Sequence, residues 1–151
     1  MIQGVEFKTL ITHTDERGFF REMIRNTGSI TEAGLDQVSH SLVYQGVIKA
    51  WHYHKIQTQW NYVISGLIKV VLYDLREESP TVNNKIEFFA GDNQEPLIYC
   101  FPPGVAHGYK CLNGPMNIIY ITSGIYDPEE EGRLEYDNRK IGYDWLKLEI
   151  K

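Results

Sequence analysis

Turn-forming clusters recur along the whole chain and divide it into short segments. DERG, NTGS, REESP, AGDN, PPG and NGP separate runs that are rich in β-branched and aromatic residues. Helical periodicity is confined to a stretch near residues 29–36. Such a pattern predicts a sandwich or barrel, with strands at Val5–Leu10, Phe19–Ile24, Gln37–Tyr44, Val47–Tyr53, Tyr62–Ile64, Ile68–Leu75, Lys85–Phe89, Leu97–Phe101, Gly108–Leu112 and Asn117–Ile121.

The chain is long enough for one domain and too short for two. Its 151 residues, 42% of them hydrophobic, can bury an ordinary core. No repeat or low-complexity linker interrupts it, so a single domain over residues 1–151 is predicted. The mixed-charge segment after Tyr126 is expected to form a short, solvated C-terminal cap, with Trp145 as its anchor on the barrel.

Charge and cysteine content exclude several classes of protein. The net charge is −5 and the basic residues are scattered, which argues against nucleic acid as a partner while leaving room for a small anionic ligand in a cleft. No segment has the length of a membrane span or the pattern of a signal peptide, so we expect a cytoplasmic protein. Cys100 and Cys111 are expected to be buried, reduced thiols.

Two histidines stand close together in the motif GVIKAWHYHKIQTQWNYVISG. His52 and His54 are separated by one residue, and Gln59 and Gly66 follow at spacings of four and six intervening residues. Strand alternation predicts Ile48, Ala50, His52 and His54 on one face and Val47, Lys49, Trp51 and Tyr53 on the other.

A third histidine follows a tight turn in the motif FPPGVAHGYKCLN. The Pro-Pro-Gly turn sets the direction in which His107 leaves it at the start of a strand. Together the two segments resemble the paired motifs of cupins. The resemblance implies a mainly β protein with a cupin barrel, which is a double-stranded β-helix or jelly roll.

Ordered blocks along nearly the whole chain are similar to one cupin family. DERGFFREM, SLVYQGVIKAWHYH, YDLREESPT, FPPGVAHGY, IYITSGIYDPEEEG and IGYDW resemble the dTDP-4-keto-6-deoxyhexose 3,5-epimerases, also called dTDP-4-dehydrorhamnose 3,5-epimerases. That resemblance implies a nucleotide-linked 4-keto sugar as substrate, epimerised at C3, C5 or both by proton abstraction beside the ketone. It implies no cofactor and no metal, and a homodimer.

The resemblance also implies roles for individual residues. His52 matches the base, which fits a side chain that titrates near neutral pH. Tyr120 matches the tyrosine that returns a proton from the opposite face of the sugar. The positions matched to substrate binding, or expected to replace such positions, are Arg17, Phe20, Glu22, Gln37, Lys49, His54, Gln59, Asn61, His107 and Tyr126.

The chain departs from the family pattern at three places. Lys49-Ala50-Trp51-His52 stands where the family has Arg-Gly-Leu-His, and Asn61 stands where it has a lysine that would hold the enolate. Lys55 or Asn61 is a candidate replacement, although a charged donor stabilises an oxyanion better than a neutral one.

The third departure concerns the carboxylate that orients the catalytic histidine. The family carries an aspartate beyond its Trp-Pro block, and no counterpart is visible after Trp145. The candidates to orient His52 are Asp74, Glu22 and a carboxylate of the EEEG segment. These departures put double epimerisation in question.

Three alternatives remain open. His-Tyr-His-Lys resembles a stretch of the sugar-nucleotide 3,4-ketoisomerases, which use the same barrel. His52, His54, Gln59 and His107 occupy the positions that bind a divalent ion in metal-dependent cupins, although an amide is a poorer ligand than a carboxylate. A sugar-nucleotide binding module without turnover is the third alternative.

Overall fold

A computed structural model describes residues 1–147 of the chain. A 3-10 helix at Ser29–Thr31 lies in the stretch of predicted helical periodicity, and the rest of the regular structure in these residues is β. The strands are β1 (Glu6–Thr9), β2 (Thr12–Asp15), β3 (Gly18–Arg21), β4 (Gln37–Val43), β5 (Ile48–His54), β6 (Gln59–Asp74), β7 (Lys85–Gly91), β8 (Leu97–Phe101), β9 (Val105–Thr122) and β10 (Glu131–Arg133). The predicted mainly β class is confirmed.

Eight strands form one antiparallel sheet, and a separate hairpin of β2 and β3 stands beside it. The order in the large sheet is β1-β8-β6-β9-β5-β10, with β4 paired to β9 and β7 paired to β6. Within residues 1–147 no helix is long and apolar enough to cross a bilayer. Residues 148–151 of the predicted single domain lie outside the described part of the chain.

The two longest strands, β6 and β9, bend in the middle, so that the two halves of each strand pair with different neighbours. The first half of β6 pairs with β8 and with the second half of β9, whereas its second half pairs with β7 and the first half of β9. Gly66 lies at the bend with φ +84°, and a Cβ there would come within 2.7 Å of the Met116 backbone. The sequence prediction that split each of these strands in two was therefore wrong, because a glycine bend changes the register without ending the strand.

Irregular pairing in β5 changes which side chains face inward. Lys49 pairs with Tyr109 and His52 pairs with His107, with a register shift between these two pairs. Simple alternation was wrong here, because the shift brings Lys49 to the same cavity as His52 and His54. Ile48 and Ala50 instead pack against a cluster around Trp51, Ile141 and Trp145.

The C-terminal segment packs against the barrel through a buried tryptophan and an edge strand, which a merely solvated cap would not do. Trp145 is 1% exposed and packs against Trp51, which confirms its predicted role as an anchor. The same segment contributes β10, an edge strand paired with β5 that the sequence analysis missed. Cys100 and Cys111 are buried and unpaired with each other, as expected.

Candidate active site

Polar side chains from six strands of the large sheet line a cavity of about 260 Å³. Eight of the residues predicted for the site meet there: Gln37, Lys49, His52, His54, Gln59, Asn61, His107 and Tyr120. Glu131, from the EEEG segment, also lines the cavity, together with seven residues that were not predicted for the site: Ser39, Ser41, Val70, Tyr99, Gly108, Tyr109 and Thr122.

Sheet register explains why residues far apart in sequence meet in this cavity. Ser39, Tyr120, Asn61 and Tyr99 are direct cross-strand partners on β4, β9, β6 and β8. Because side chains two residues apart on a strand share a face, Gln37, Thr122 and Gln59 form a parallel row beside them. Alternation along each strand therefore places these polar side chains on one face, where they form the floor of the cavity.

His52 is oriented by a carboxylate from β10. Its Nδ1 lies 2.7 Å from Oε1 of Glu131, and both side chains are only partly exposed. A carboxylate accepts hydrogen bonds, so Nδ1 carries the proton and Nε2 presents a lone pair. Among residues 1–147 nothing hydrogen-bonds to that Nε2, which leaves it available to a ligand in the cavity.

His54 is bound at both ring nitrogens. Its Nδ1 lies 2.7 Å from Oε2 of Glu130, and its Nε2 lies 2.7 Å from Oε1 of Gln59. Burial opposes ionisation of Glu130, but hydrogen bonds from His54 and from the Ile56 and Gln57 amides outweigh it and lower the pKa of this carboxyl. With both nitrogens engaged, His54 is not placed to take a proton from a ligand.

His107 is a neutral imidazole between the other two. Burial, together with the nearby His54, lowers the pKa of His107 to about 3. Its ring lies over Phe101 with 4.3 Å between centroids, and its Nδ1 donates to the Val105 carbonyl at 3.3 Å. Since it stays uncharged at neutral pH, it shapes the cavity without adding charge.

Tyr120 faces the cavity with a second phenol behind it. The hydroxyls of Tyr109 and Tyr120 lie 2.5 Å apart. Burial raises the pKa of both phenols, and hydrogen bonds from Tyr109 and Ser41 partly offset that rise for Tyr120. Tyr109 therefore keeps its proton more strongly and donates to Tyr120, which would stabilise Tyr120 after loss of its own proton.

Four predicted site residues lie outside the cavity of this chain. Arg17 and Phe20 are exposed on the β2–β3 hairpin, and Arg17 pairs with Asp15 at its turn. Glu22 is exposed and pairs with Arg25. Tyr126 is exposed, and its backbone N–H donates to the Gln37 side chain.

Of the three candidates to orient His52, only the EEEG segment holds the actual partner. Asp74 is fully buried but is held by Arg76, Ser79 and Thr81, and these hydrogen bonds lower its pKa well below the usual range despite burial. Glu22 is bound to Arg25 instead. Lys55, the proposed replacement cation, donates to the Glu129 carbonyl and does not line the cavity.

Some of the missed residues carried a signal in the sequence. Ser39 and Ser41 alternate with Gln37 on a predicted strand, and Tyr109 follows His107 by two residues, so shared faces were available from spacing alone. Glu130 and Glu131 offered none beyond their acidity, because β10 is too short for a hydrophobic pattern.

The arrangement differs from the one that the metal hypothesis needs. Nε2 of His54 and Oε1 of Gln59, two of the four suggested ligand atoms, are hydrogen-bonded to each other. In the part of the chain that the structure describes, no group of three or more His, Cys, Asp or Glu side chains is arranged to hold an ion.

Relatives of known name cover almost the entire chain. The spore coat polysaccharide biosynthesis protein SpsL of Bacillus subtilis is 42% identical over 148 residues, which cover 96% of this chain and 97% of that protein. The probable low-salt glycan biosynthesis epimerase Agl13 of Haloferax volcanii is 33% identical, with 95% and 94% covered.

Solved structures extend this likeness to the fold. A dTDP sugar isomerase from Desulfovibrio desulfuricans superposes with a TM-score of 0.90 at 27% identity, covering 98% of this chain and 94% of its own. The rmlC epimerase of Mycobacterium tuberculosis superposes with a TM-score of 0.85 at 27% identity, covering 95% and 74%. The predicted cupin barrel is thereby confirmed.

The family assignment rests on the full length of the chain. The model of the dTDP-4-dehydrorhamnose 3,5-epimerase family matches residues 1–151. The chain therefore belongs to the dTDP-4-dehydrorhamnose 3,5-epimerase family of sugar-nucleotide epimerases.

Proposed function

We propose that this protein epimerises a dTDP-linked 4-keto-6-deoxy sugar at C3, C5 or both. The observation that carries the proposal is the pairing of His52 with Glu131 beside a cavity that also holds Tyr120. A general base needs a free nitrogen and a partner for the charge that it gains, and among the three imidazoles only His52 has both.

The reaction would proceed through an enolate. Nε2 of His52 removes the proton next to the C4 ketone, and the C–H electron pair moves into the ring to leave negative charge on the ketone oxygen. Glu131 stabilises the resulting imidazolium. Tyr120 then protonates the same carbon from the opposite face, with Tyr109 and Ser41 stabilising its phenolate. Solvent returns a proton to Tyr120 and removes one from His52.

The diphosphate requires cations, and one of them lines this cavity. Lys49 is exposed and lines the same cavity as the three histidines, and its ammonium group is of the kind that pairs with phosphate oxygens. Arg17 and Phe20 lie on the exposed hairpin of the same chain, and Glu22 directly follows it. We propose a homodimer in which this hairpin reaches the nucleotide bound by the partner subunit, while Tyr126 borders the sugar; the cytoplasmic location stays a prediction.

Isotope exchange tests this function. Incubation with dTDP-4-keto-6-deoxyglucose in deuterium oxide should introduce deuterium beside the ketone, at C3, at C5 or at both. His52→Ala and Glu131→Gln should slow the exchange by roughly a hundredfold or more, since acid–base catalysis contributes that much, while thymidine diphosphate still binds.

Glu129→Gln is the matched control. Glu129 is two residues from Glu131 and exposed, and its change to glutamine should leave exchange unaltered. Tight binding without exchange in the unaltered protein would contradict the epimerase proposal and leave a binding module. Loss of exchange on chelation, with a stoichiometric metal in the purified protein, would favour the metal-dependent alternative.

A further inference from the structure

A continuous line of hydrogen bonds runs through the floor of the cavity from Glu130, the residue before β10, to Tyr99 on β8. Glu130 contacts His54, whose other nitrogen lies 2.7 Å from Oε1 of Gln59. Gln59 donates through Nε2 to Oδ1 of Asn61 at 2.8 Å, and Asn61 donates through Nδ2 to the Tyr99 hydroxyl at 3.0 Å. All five side chains are buried or nearly so, so each of these bonds replaces one to water.

The first member of this line is an anion that needs a counter-charge. The Glu130 side chain is 3% exposed, and its second oxygen accepts the backbone N–H groups of Ile56 and Gln57. A buried carboxylate without a cation is strongly destabilising. Within residues 1–147 the side chain that can offer Glu130 a positive charge is the His54 imidazole, whose Nδ1 lies 2.7 Å from Oε2.

A charged His54 gives the whole line one direction. An imidazolium donates from both nitrogens, so Nδ1 donates to Glu130 and Nε2 donates to Oε1 of Gln59. Each amide then accepts at its oxygen and donates from its nitrogen to the next group. Hydrogen bonds in such a series polarise one another, which strengthens the donors at its far end.

The far end of the line is a phenol at the bottom of the cavity. Burial raises the pKa of Tyr99, so its hydroxyl keeps its proton. Because Asn61 already occupies the oxygen of Tyr99, its O–H is left to donate to another acceptor, and Tyr99 and Asn61 both line the cavity. If His54 were neutral, each donor and acceptor along the line could exchange roles. The Tyr99 hydroxyl would then donate to Asn61 instead of to a ligand.

We infer that His54 is an imidazolium whose charge polarises the hydrogen bonds through Gln59 and Asn61 to Tyr99, so that the Asn61 amide and the Tyr99 hydroxyl stabilise the enolate oxygen of the substrate. The inference rests on the proposed epimerase function. His54, Glu130 and Gln59 are positioning residues, whereas Asn61 and Tyr99 contact the oxygen. The polarised line makes Asn61 and Tyr99 stronger donors than an isolated neutral amide and phenol would be.

The charge on His54 can be measured without substrate. Nitrogen-15 spectra of the histidine side chains at neutral pH should show protons on both ring nitrogens of His54 in the full-length protein. Glu130→Gln should remove one of them, because the anion that requires the charge is gone, and Glu129→Gln should not. An Nε2 without a proton in the unaltered protein would overturn the inference.

The effect on the enolate is tested by moving the cation. His54→Gln should slow deuterium exchange by roughly ten- to a hundredfold, as expected for weakening an oxyanion donor, with little change in thymidine diphosphate affinity. His54→Gln combined with Asn61→Lys should be about tenfold faster than His54→Gln alone, because an ammonium group then stands at the floor of the cavity. Asn61→Lys in the protein that keeps His54 is the control, and an equal gain there would show that the lysine acts independently of His54 and would contradict the inference.

The outcomes separate the two proposals. Absence of exchange in the unaltered protein would contradict the epimerase function. Exchange in the unaltered protein, together with a folded double variant no faster than His54→Gln, would contradict the role inferred for His54 and leave the epimerase function standing. Circular dichroism and the binding of thymidine diphosphate establish that each variant is folded before its exchange rate is compared.

Discussion

His52, His54 and His107 are the same side chain in one cavity, but their ring nitrogens face different partners. Two of the rings donate to carboxylates, and the third donates to a backbone carbonyl. His52 thus keeps a free ring nitrogen, His54 is bound at both nitrogens, and His107 is buried and neutral, so the three rings are suited to different roles.

The neutral state of His107 predicts a specific loss of stability in acid. Its folded pKa of about 3 lies below the ordinary value of 6.5, so the unfolded chain binds the proton first. The stabilisation is complete above about pH 6.5 and declines as the pH falls toward the folded pKa, by about 1.4 kcal/mol per pH unit.

Urea unfolding at two pH values measures this effect. Between about pH 7.5 and about pH 5, His107 should account for about 2 kcal/mol of the lost free energy of unfolding. His107→Gln should lose correspondingly less over the same interval, because the group that takes up the proton in the unfolded chain is gone. An equal loss in the His107→Gln variant would show that this ring is already charged when folded.

At the scale of elements, the position of the short edge strand β10 determines whether Glu130 and Glu131 reach their histidines. Glu131 is its first residue and Glu130 immediately precedes it, and Gly132 lies against the ring of Tyr53 on β5. A Cβ at Gly132 would come within 2.0 Å of that ring. The absence of a side chain therefore lets β10 approach β5 closely enough for both carboxylates to reach their imidazoles.

Gly132→Ala should consequently impair both histidine contacts at once. We expect slower isotope exchange, by roughly tenfold or more as for loss of an orienting partner, and a changed nitrogen-15 spectrum for both His52 and His54. Tyr53→Ala combined with Gly132→Ala should recover much of the rate, because the clash is removed. If the double variant is as slow as the single one, close packing of Tyr53 is not what positions β10.

The strands that could be predicted from the sequence are those with strong patterns and clear turns. Leu97–Phe101 was placed with its observed bounds, and the paired histidine motifs located the cavity. Two features depend on contacts with distant strands: the bend at Gly66 and the register shift between Lys49 and His52. No local sequence pattern predicts them. The Glu131 contact could be anticipated only as one of three possibilities, because it depends on how β10 docks.

At the scale of the whole molecule, the outer face of β4 remains uncovered in a single chain. Gln37, Ser39 and Ser41 point into the cavity, whereas Val38 and Leu42 on the other face are more than half exposed. The β2–β3 hairpin also exposes Phe19 and Phe20. Apolar residues grouped on an edge strand and a hairpin are typical of a surface that another chain covers.

Charged substitutions on this face test the proposed homodimer. The unaltered protein should sediment as a dimer, and Val38→Arg with Leu42→Arg should produce a monomer at the same concentration, because burying unpaired charge opposes association. Leu146→Arg places the same charge on another exposed apolar residue and should leave the dimer intact. A monomeric unaltered protein, or a dimer that tolerates both arginines, would contradict this interface.

The adjacency of Glu130 and Glu131 constrains how this protein can evolve. The two acids serve different imidazoles, so an insertion or deletion that shifts them against Gly132 would offer each ring the wrong oxygen. Such a change would be penalised twice, once at the His52 contact and once at the buried Glu130. Loop lengthening, which most surface segments tolerate, is therefore closed to residues 130–132.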